Sequence, residues 1–229
     1  MNFRVTISLI LFSLVFSSKG YAQYNDAQVW ENISLDKDIY RKLNLHFNHE
    51  GRIVDNASRF VYAYGDIGLT YKYSKRLKFS GDYVLVFKQT DKRFSTRHQW
   101  YVDFTYKIKR KRFELAWREM FQQQVQDIYS SDFGAVPDNY LRNKITATYV
   151  FKKGFLYRIK PYAATEFYYR VSNHDKDGYG FKRNRYYLGS YYAINKKAEI
   201  ELYYLVELNY NISDPPTNYV AGIGFSKSF

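Results

Sequence analysis

Cysteine is absent from all 229 residues of the chain. Its absence excludes disulfide bonds, thiolate chemistry and an N-terminal lipoprotein anchor. After residue 22 there is also no apolar stretch approaching the roughly 20 residues of a transmembrane helix, which excludes helical insertion. Mean hydropathy is negative, as in soluble proteins. A membrane β-barrel has the same property, because only every second residue of its strands faces lipid.

The first 22 residues resemble a secretory signal. Arg4 supplies a positive charge, residues 5–16 form an apolar run broken by three hydroxyl residues, and the small residues Gly20 and Ala22 mark a cleavage site. We therefore predict a cleaved signal at 1–22 and a single barrel domain at 23–229.

Aromatic residues make up 21% of the chain, with 26 Tyr and 18 Phe. The tyrosine ring is apolar and its tip is polar, so tyrosine suits the two water–lipid boundaries of a membrane barrel. The formal charge of +13 is also compatible with nucleic-acid binding. Export and the placement of much of this charge in short turns argue against it, and we expect no nucleic-acid partner.

Alternating apolar and polar residues predict eleven long strands joined by turns. Several are 11 to 17 residues long in sequence, whereas strands of soluble proteins commonly have about 5 to 6. The predicted strands are 27–35, 39–50, 59–73, 77–88, 95–108, 112–122, 139–151, 155–171, 181–194, 198–211 and 218–229.

The connections alternate between tight, mostly basic turns and longer polar loops, as in outer-membrane proteins with short periplasmic turns and longer external loops. We predict an all-β fold, an antiparallel transmembrane β-barrel of 10–12 strands. Because antiparallel closure needs an even number, either the segment 27–35 lies outside the barrel or a twelfth strand lies within 123–138.

The last strand alternates and ends on an aromatic residue. Tyr219, Ile223, Phe225 and Phe229 are predicted to form a C-terminal assembly signal. The expected partners are outer-membrane lipid and, during biogenesis, the barrel-assembly machinery; the expected location is the outer membrane of a Gram-negative cell.

The polar strand faces place acids and bases where they can meet inside a barrel. A narrow barrel has room for side chains but little open channel, so these charges must pair or meet water. They could form a stabilising interior network or line a path for a small solute. The candidates for the lumen are Asp82, Asp103, Glu114, Arg118, Arg142, Arg158, Glu166, Arg170, Arg185, Glu199, Glu201 and Glu207.

The four histidines are interpreted as surface or loop residues. His46 and His49 have opposite parity on one predicted strand and cannot share a face. A metal site needs several ligands in a defined geometry, and the sequence shows no such cluster. We therefore assign no catalytic, metal-binding or cofactor-binding residue.

The chain resembles the DUF2490 family of outer-membrane barrels of unknown function, common in Bacteroidetes. The resemblance covers nearly all of the mature chain and depends on diffuse features rather than on a sharp motif. These are the Tyr-rich hairpins, the glycine-containing last strand, Trp30, Pro161-Tyr162 before Glu166-Phe167-Tyr168, and Asn184-Arg185 before Tyr187-Leu188-Gly189. It implies a barrel in the outer membrane and supplies no reaction or ligand.

The sequence thus favours an integral outer-membrane barrel with a structural role, or one that passes or binds a small solute without catalysis. Two alternatives remain open. One is an outer-membrane enzyme that modifies or hydrolyses lipid, and the other is a secreted soluble barrel that binds an apolar ligand. The second would reverse the faces, and alternation alone does not tell inside from outside.

Overall fold

The computed structural model describes residues 25–89, 94–127, 136–152, 154–172, 179–212 and 215–229. The predicted signal at 1–22 lies outside them and stays a prediction. In the described residues the chain forms a closed barrel of eleven strands. The strands are β1 (Asn25–Tyr40), β2 (Leu43–Val54), β3 (Arg59–Tyr71), β4 (Leu77–Gln89), β5 (Phe94–Arg110), β6 (Phe113–Gln126), β7 (Pro137–Tyr149), β8 (Ile159–Arg170), β9 (Gly180–Ala193), β10 (Ala198–Asn209) and β11 (Thr217–Ser228).

The barrel closes through a parallel pair. All neighbouring strands in sequence pair antiparallel, whereas β1 and β11 pair in parallel from Asn25↔Thr217 to Asp36↔Ser228. Both predicted ways of reaching an even number of strands were therefore wrong. The segment 27–35 belongs to the barrel as part of β1, and the barrel closes without a twelfth strand. A parallel ladder is only slightly less stable per residue than an antiparallel one. One parallel seam therefore costs little, and the barrel can have an odd number of strands.

The two ends of the barrel differ. We call the end with the connections 41–42, 72–76, 111–112, 150–158 and 194–197 the turn end, and the opposite end the loop end. The first hairpin turns at Arg41 and Lys42, not at the predicted 36–38, and Arg41 has a positive φ of 35°. Residues 155–158, predicted as strand, form a 3-10 turn after Gly154, whose φ is 82°.

The strand faces segregate by polarity. Large apolar side chains face outward and remain exposed, including Leu69, Val102, Leu188 and Leu202, with exposures of 45%, 60%, 69% and 58%. Exposed aromatic side chains lie at both ends of this surface. They include Tyr40, Tyr73, Phe113, Tyr157 and Phe229 at the turn end, and Phe60, Phe87, Tyr169 and Phe181 at the loop end.

The interior holds one small apolar cluster near the seam. Trp30 of β1, Leu205 of β10 and Val220 of β11 are buried together, and Tyr187 and Tyr203 pack against them. Gly222 lies beneath the Tyr203 ring, which a Cβ at this position would overlap. Most other buried side chains inside the barrel are polar or charged, so hydrogen bonds and ion pairs must hold the interior together.

Candidate functional site

A cavity of about 770 Å³ occupies the interior toward the loop end. Its lining reaches Val54, Arg59 and Pro216 near the loops, and on the other side it ends at Tyr162, Tyr191 and Glu201. We call the side formed by Tyr162, Tyr191 and Glu201 the floor. Two ion pairs lie between this floor and the turn end and do not line the cavity: Lys160 with Glu199 at 2.6 Å, and Lys107 with Glu114 at 2.7 Å. The cavity therefore lies toward the loop end, and we call it the cup.

Glu166 is the centre of the charged network in the cup wall. Its side chain is 1% exposed, and its Oε1 accepts from Arg142 at 2.7 Å and from Arg118 at 3.0 Å. The hydroxyls of Tyr168 and Tyr187 each donate to Oε2 at 3.3 Å. One buried carboxylate thus joins side chains from β6, β7, β8 and β9, and these charge-assisted bonds offset the cost of its burial.

A second buried carboxylate continues the network to the seam. Glu207 accepts from Arg185 Nε at 2.7 Å and from Asn218 at 2.9 Å. The Arg185 guanidinium lies over the Trp30 ring at 5.0 Å, and the Arg52 guanidinium lies over the same ring at 3.8 Å. The guanidinium groups of Arg52 and Arg185 therefore contact an aromatic face in addition to carboxylates.

Basic side chains outnumber acidic ones in the lining. The basic residues are Arg52, Arg59, Lys88, Arg97, Arg118, Arg142, Lys144, Arg183 and Arg185, and the acidic residues are Asp26, Glu50, Asp66, Glu166, Glu201 and Glu207. Lys88, Arg97 and Arg183 line the cup near the loop end, and Arg52 lines it as well. The Nε of Arg97 is buried and has no hydrogen-bond partner among the described residues. Arg52 and Arg183 lie next to carboxylates, Glu50 at 2.6 Å and Glu207 at 3.5 Å, so the excess of positive charge here comes from Lys88 and Arg97.

Of the twelve predicted lumen residues, six line the cup. They are Arg118, Arg142, Glu166, Arg185, Glu201 and Glu207. The structure places Asp82, Asp103, Glu114, Arg170 and Glu199 on the same inner faces, but they are not part of the cavity lining. Arg170 pairs with Asp138 near the loops. Arg158 lies in the 3-10 turn, is exposed, and donates to the hydroxyl of Tyr157, so it is not part of the interior.

The predicted assembly residues lie on the outer face. Tyr219, Ile223 and Phe229 are 38%, 49% and 58% exposed, and Phe225 between them is half-buried. The backbone N–H of Phe229 donates to the carbonyl of Asp36 at 2.9 Å, so the chain is paired with β1 to its last residue.

His46 is not a surface residue, and here the sequence interpretation was wrong. Its side chain is 11% exposed inside the barrel and contacts Asp82 through Nε2. Its Nδ1 lies 3.4 Å from the Thr70 hydroxyl, which completes a hydroxyl–imidazole–carboxylate arrangement. Thr70 is buried and is not among the residues that line the cup. His49 has the opposite parity, as predicted, and its Nε2 lies 3.0 Å from Glu31.

Sequence reasoning missed the aromatic and amide residues of the lining. Tyr101 donates to Asp66 and Tyr162 donates to Glu201, and Gln122 accepts from Arg142 at 2.8 Å. The signal was available, because each of these residues has the parity of the charged residues on its own strand. Selecting charged residues alone passed over them.

The comparison with family models identifies the chain. A model described as "Protein of unknown function (DUF2490)" matches residues 27–218. The chain belongs to the DUF2490 family. The match runs from β1 to the start of β11 and so covers most of the barrel, and the resemblance noted from the sequence is confirmed. No curated protein matches this DUF2490 chain. The part of the chain that the structure describes holds no helix with the length and apolarity needed to cross a membrane.

Proposed function

We propose that this DUF2490 protein is an integral outer-membrane β-barrel that binds a small anionic solute, without catalysis, in a cup at its loop end. The observation that carries the proposal is the distribution of polarity. Apolar and aromatic side chains cover the outside, whereas paired charges fill the inside. Outer-membrane barrels have this arrangement, with an apolar band between aromatic girdles and a polar interior.

The same distribution argues against a soluble carrier of an apolar ligand. Such a barrel would need an apolar lining and a polar outer surface. The cup is lined largely by charged groups, amides and tyrosines, and exposed residues such as Val102 and Leu188 cover the outside. An exposed apolar surface of this extent is typical of contact with lipid or with another protein.

Two features support an anionic solute in the cup. The lining has more basic than acidic side chains, and a cleft with net positive charge concentrates anionic ligands. The buried, unpartnered Nε of Arg97 is a donor that a phosphate, sulfate or carboxylate oxygen would satisfy. Since the cavity ends before the turn end, binding is favoured over free passage.

Location is tested by fractionating expressing cells and by electrophoresis of the detergent-extracted protein with and without boiling. We expect recovery in the outer membrane, a mobility shift on heating, and a mature N-terminus at Gln23. Recovery in the soluble periplasm without a shift would refute the membrane assignment.

Solute binding is tested by calorimetry on the folded protein in detergent, with inorganic phosphate as the probe. Loss of a charged hydrogen bond costs about 1.5–3 kcal/mol, so Arg97→Gln should weaken phosphate binding by roughly tenfold or more. Lys109→Gln is the matched control, because Lys109 pairs with Glu114 at the turn end and its side chain is 71% exposed. Equal phosphate affinity in the wild type and Arg97→Gln, or no binding at millimolar phosphate, would refute the anionic cup.

A further inference from the structure

The strands β2, β3 and β4 bring three potential metal ligands together just beside the floor of the cup. They are His46 of β2, Asp66 of β3 and Asp82 of β4. One ligand atom of each lies within 4.8 Å of the others. The strand register explains the meeting, because His46 and Asp82 both lie opposite Gly68 on β3, and Asp66 is the next inward residue of that strand.

Gly68 makes the approach possible. A Cβ at this position would collide with the carboxylate of Asp82 and with Nε2 of His46. The glycine therefore opens the space on the inner face of β3 into which the two side chains converge from either side. A glycine inside a strand weakens it, so a position of this kind is explained by the close approach that it permits.

Each of the two carboxylates has one oxygen with a partner and one without. The side chain of Asp82 is 1% exposed, and Asp66 is 3% exposed. Asp82 Oδ1 contacts His46, and Asp66 Oδ2 accepts from Tyr101. The other oxygen of each, Asp82 Oδ2 and Asp66 Oδ1, is buried and has no hydrogen-bond partner among the described residues. Buried carboxylates without partners are costly, and a cation between them would remove that cost.

We propose that His46, Asp66 and Asp82 bind a divalent transition-metal cation, with Zn²⁺ as the best-fitting ion. Imidazole and carboxylate together suit Zn²⁺, whereas Ca²⁺ and Mg²⁺ are bound through oxygen ligands. Donor atoms around a tetrahedral Zn²⁺, with bonds of about 2.0–2.2 Å, lie roughly 3.3–3.6 Å apart. The three side chains reach this spacing by small movements, since their donor atoms already lie within 4.8 Å.

Neighbouring hydroxyl groups are placed to orient the proposed ligands. Thr70 Oγ1 lies 3.4 Å from His46 Nδ1 and 2.9 Å from Ser80 Oγ. A proton on Nδ1 directed at Thr70 leaves the Nε2 lone pair for the metal, and the hydrogen bond from Tyr101 orients Asp66. Asp66 also lines the cup, so the site borders the cavity. Its three ligands do not include Arg97, on which the proposed anion binding depends.

The test is calorimetric titration of chelator-treated, folded protein with Zn²⁺ in detergent. We expect one Zn²⁺ per chain, and at least tenfold weaker binding in His46→Gln and in Asp82→Asn. His49→Gln is the matched control, because His49 lies on the same strand with a single carboxylate, Glu31, beside it. The heat-dependent mobility shift verifies that each variant is folded.

A second measurement uses the wild type alone, in case a variant does not fold. X-ray absorption of the Zn²⁺-loaded protein should show a single imidazole among nitrogen and oxygen ligands. Failure of the folded wild type to bind Zn²⁺, unchanged binding in both His46→Gln and Asp82→Asn, or a spectrum without imidazole would overturn the site.

Discussion

The outward face of β10 gives the sharpest test of the membrane assignment. Leu202 is the fifth of twelve residues of this strand, lies opposite Ser190 and Ile223, and is 58% exposed. If this face meets lipid, Leu202→Arg places a charge near the midplane of the bilayer and costs about 2–4 kcal/mol. If the same face met water, an exposed substitution would change stability by no more than about 0.5 kcal/mol.

The assay is the urea dependence of folding into phosphatidylcholine vesicles, followed by tryptophan fluorescence. Phe113→Arg is the control, because Phe113 is equally outward and 64% exposed but begins β6 directly beside the tight turn. Near the interface the same charge should cost only about 0–1 kcal/mol. A Leu202→Arg variant as stable as the wild type, or equal losses in the two variants, would show that the outer surface is not a lipid-facing band.

Two further predictions concern the interior. Glu166→Gln should destabilise the barrel by about 3–5 kcal/mol in the same assay, since it leaves Arg118 and Arg142 without their buried counter-charge. Glu199→Gln, whose pair with Lys160 is one-third exposed on both sides, should cost less than about 1 kcal/mol, and equal losses would contradict the central role of Glu166. Gly222→Ala should cost about 1–3 kcal/mol by displacing the Tyr203 ring, while Gly81→Ala, where a Cβ meets no atom within 4 Å, should be close to neutral. The packing argument would fail if both alanines had the same effect on the urea midpoint.

Local pattern was enough to predict the strands. In β10, the consecutive residues Glu201 and Leu202 were predicted on opposite faces. The structure has Glu201 lining the cup and Leu202 on the outside. This works because successive side chains of a strand point to opposite faces, whatever the strand pairs with. Turn positions were less accurate, as at Arg41 and Lys42, because several nearby polar residues are acceptable in a turn.

Closure could not be predicted from local pattern. The parallel pairing of β1 with β11 joins residues about 190 positions apart, such as Asn25 and Thr217, and neither strand carries a signal for its partner's direction. The assumption that all pairs are antiparallel required an even number of strands, whereas the barrel has eleven. Strand count is a property of the closed sheet and not of any one segment.

The sequence by itself determined which residues alternate, and hence that the chain forms long, two-faced strands. Only the tertiary structure decided that the charged face lies inside, that Glu166 forms ion pairs with arginines of β6 and β7, and that His46 lies close to Asp66 and Asp82. The physical reason is that alternation is a property of one strand, whereas these contacts depend on the register of three or more strands around a closed barrel.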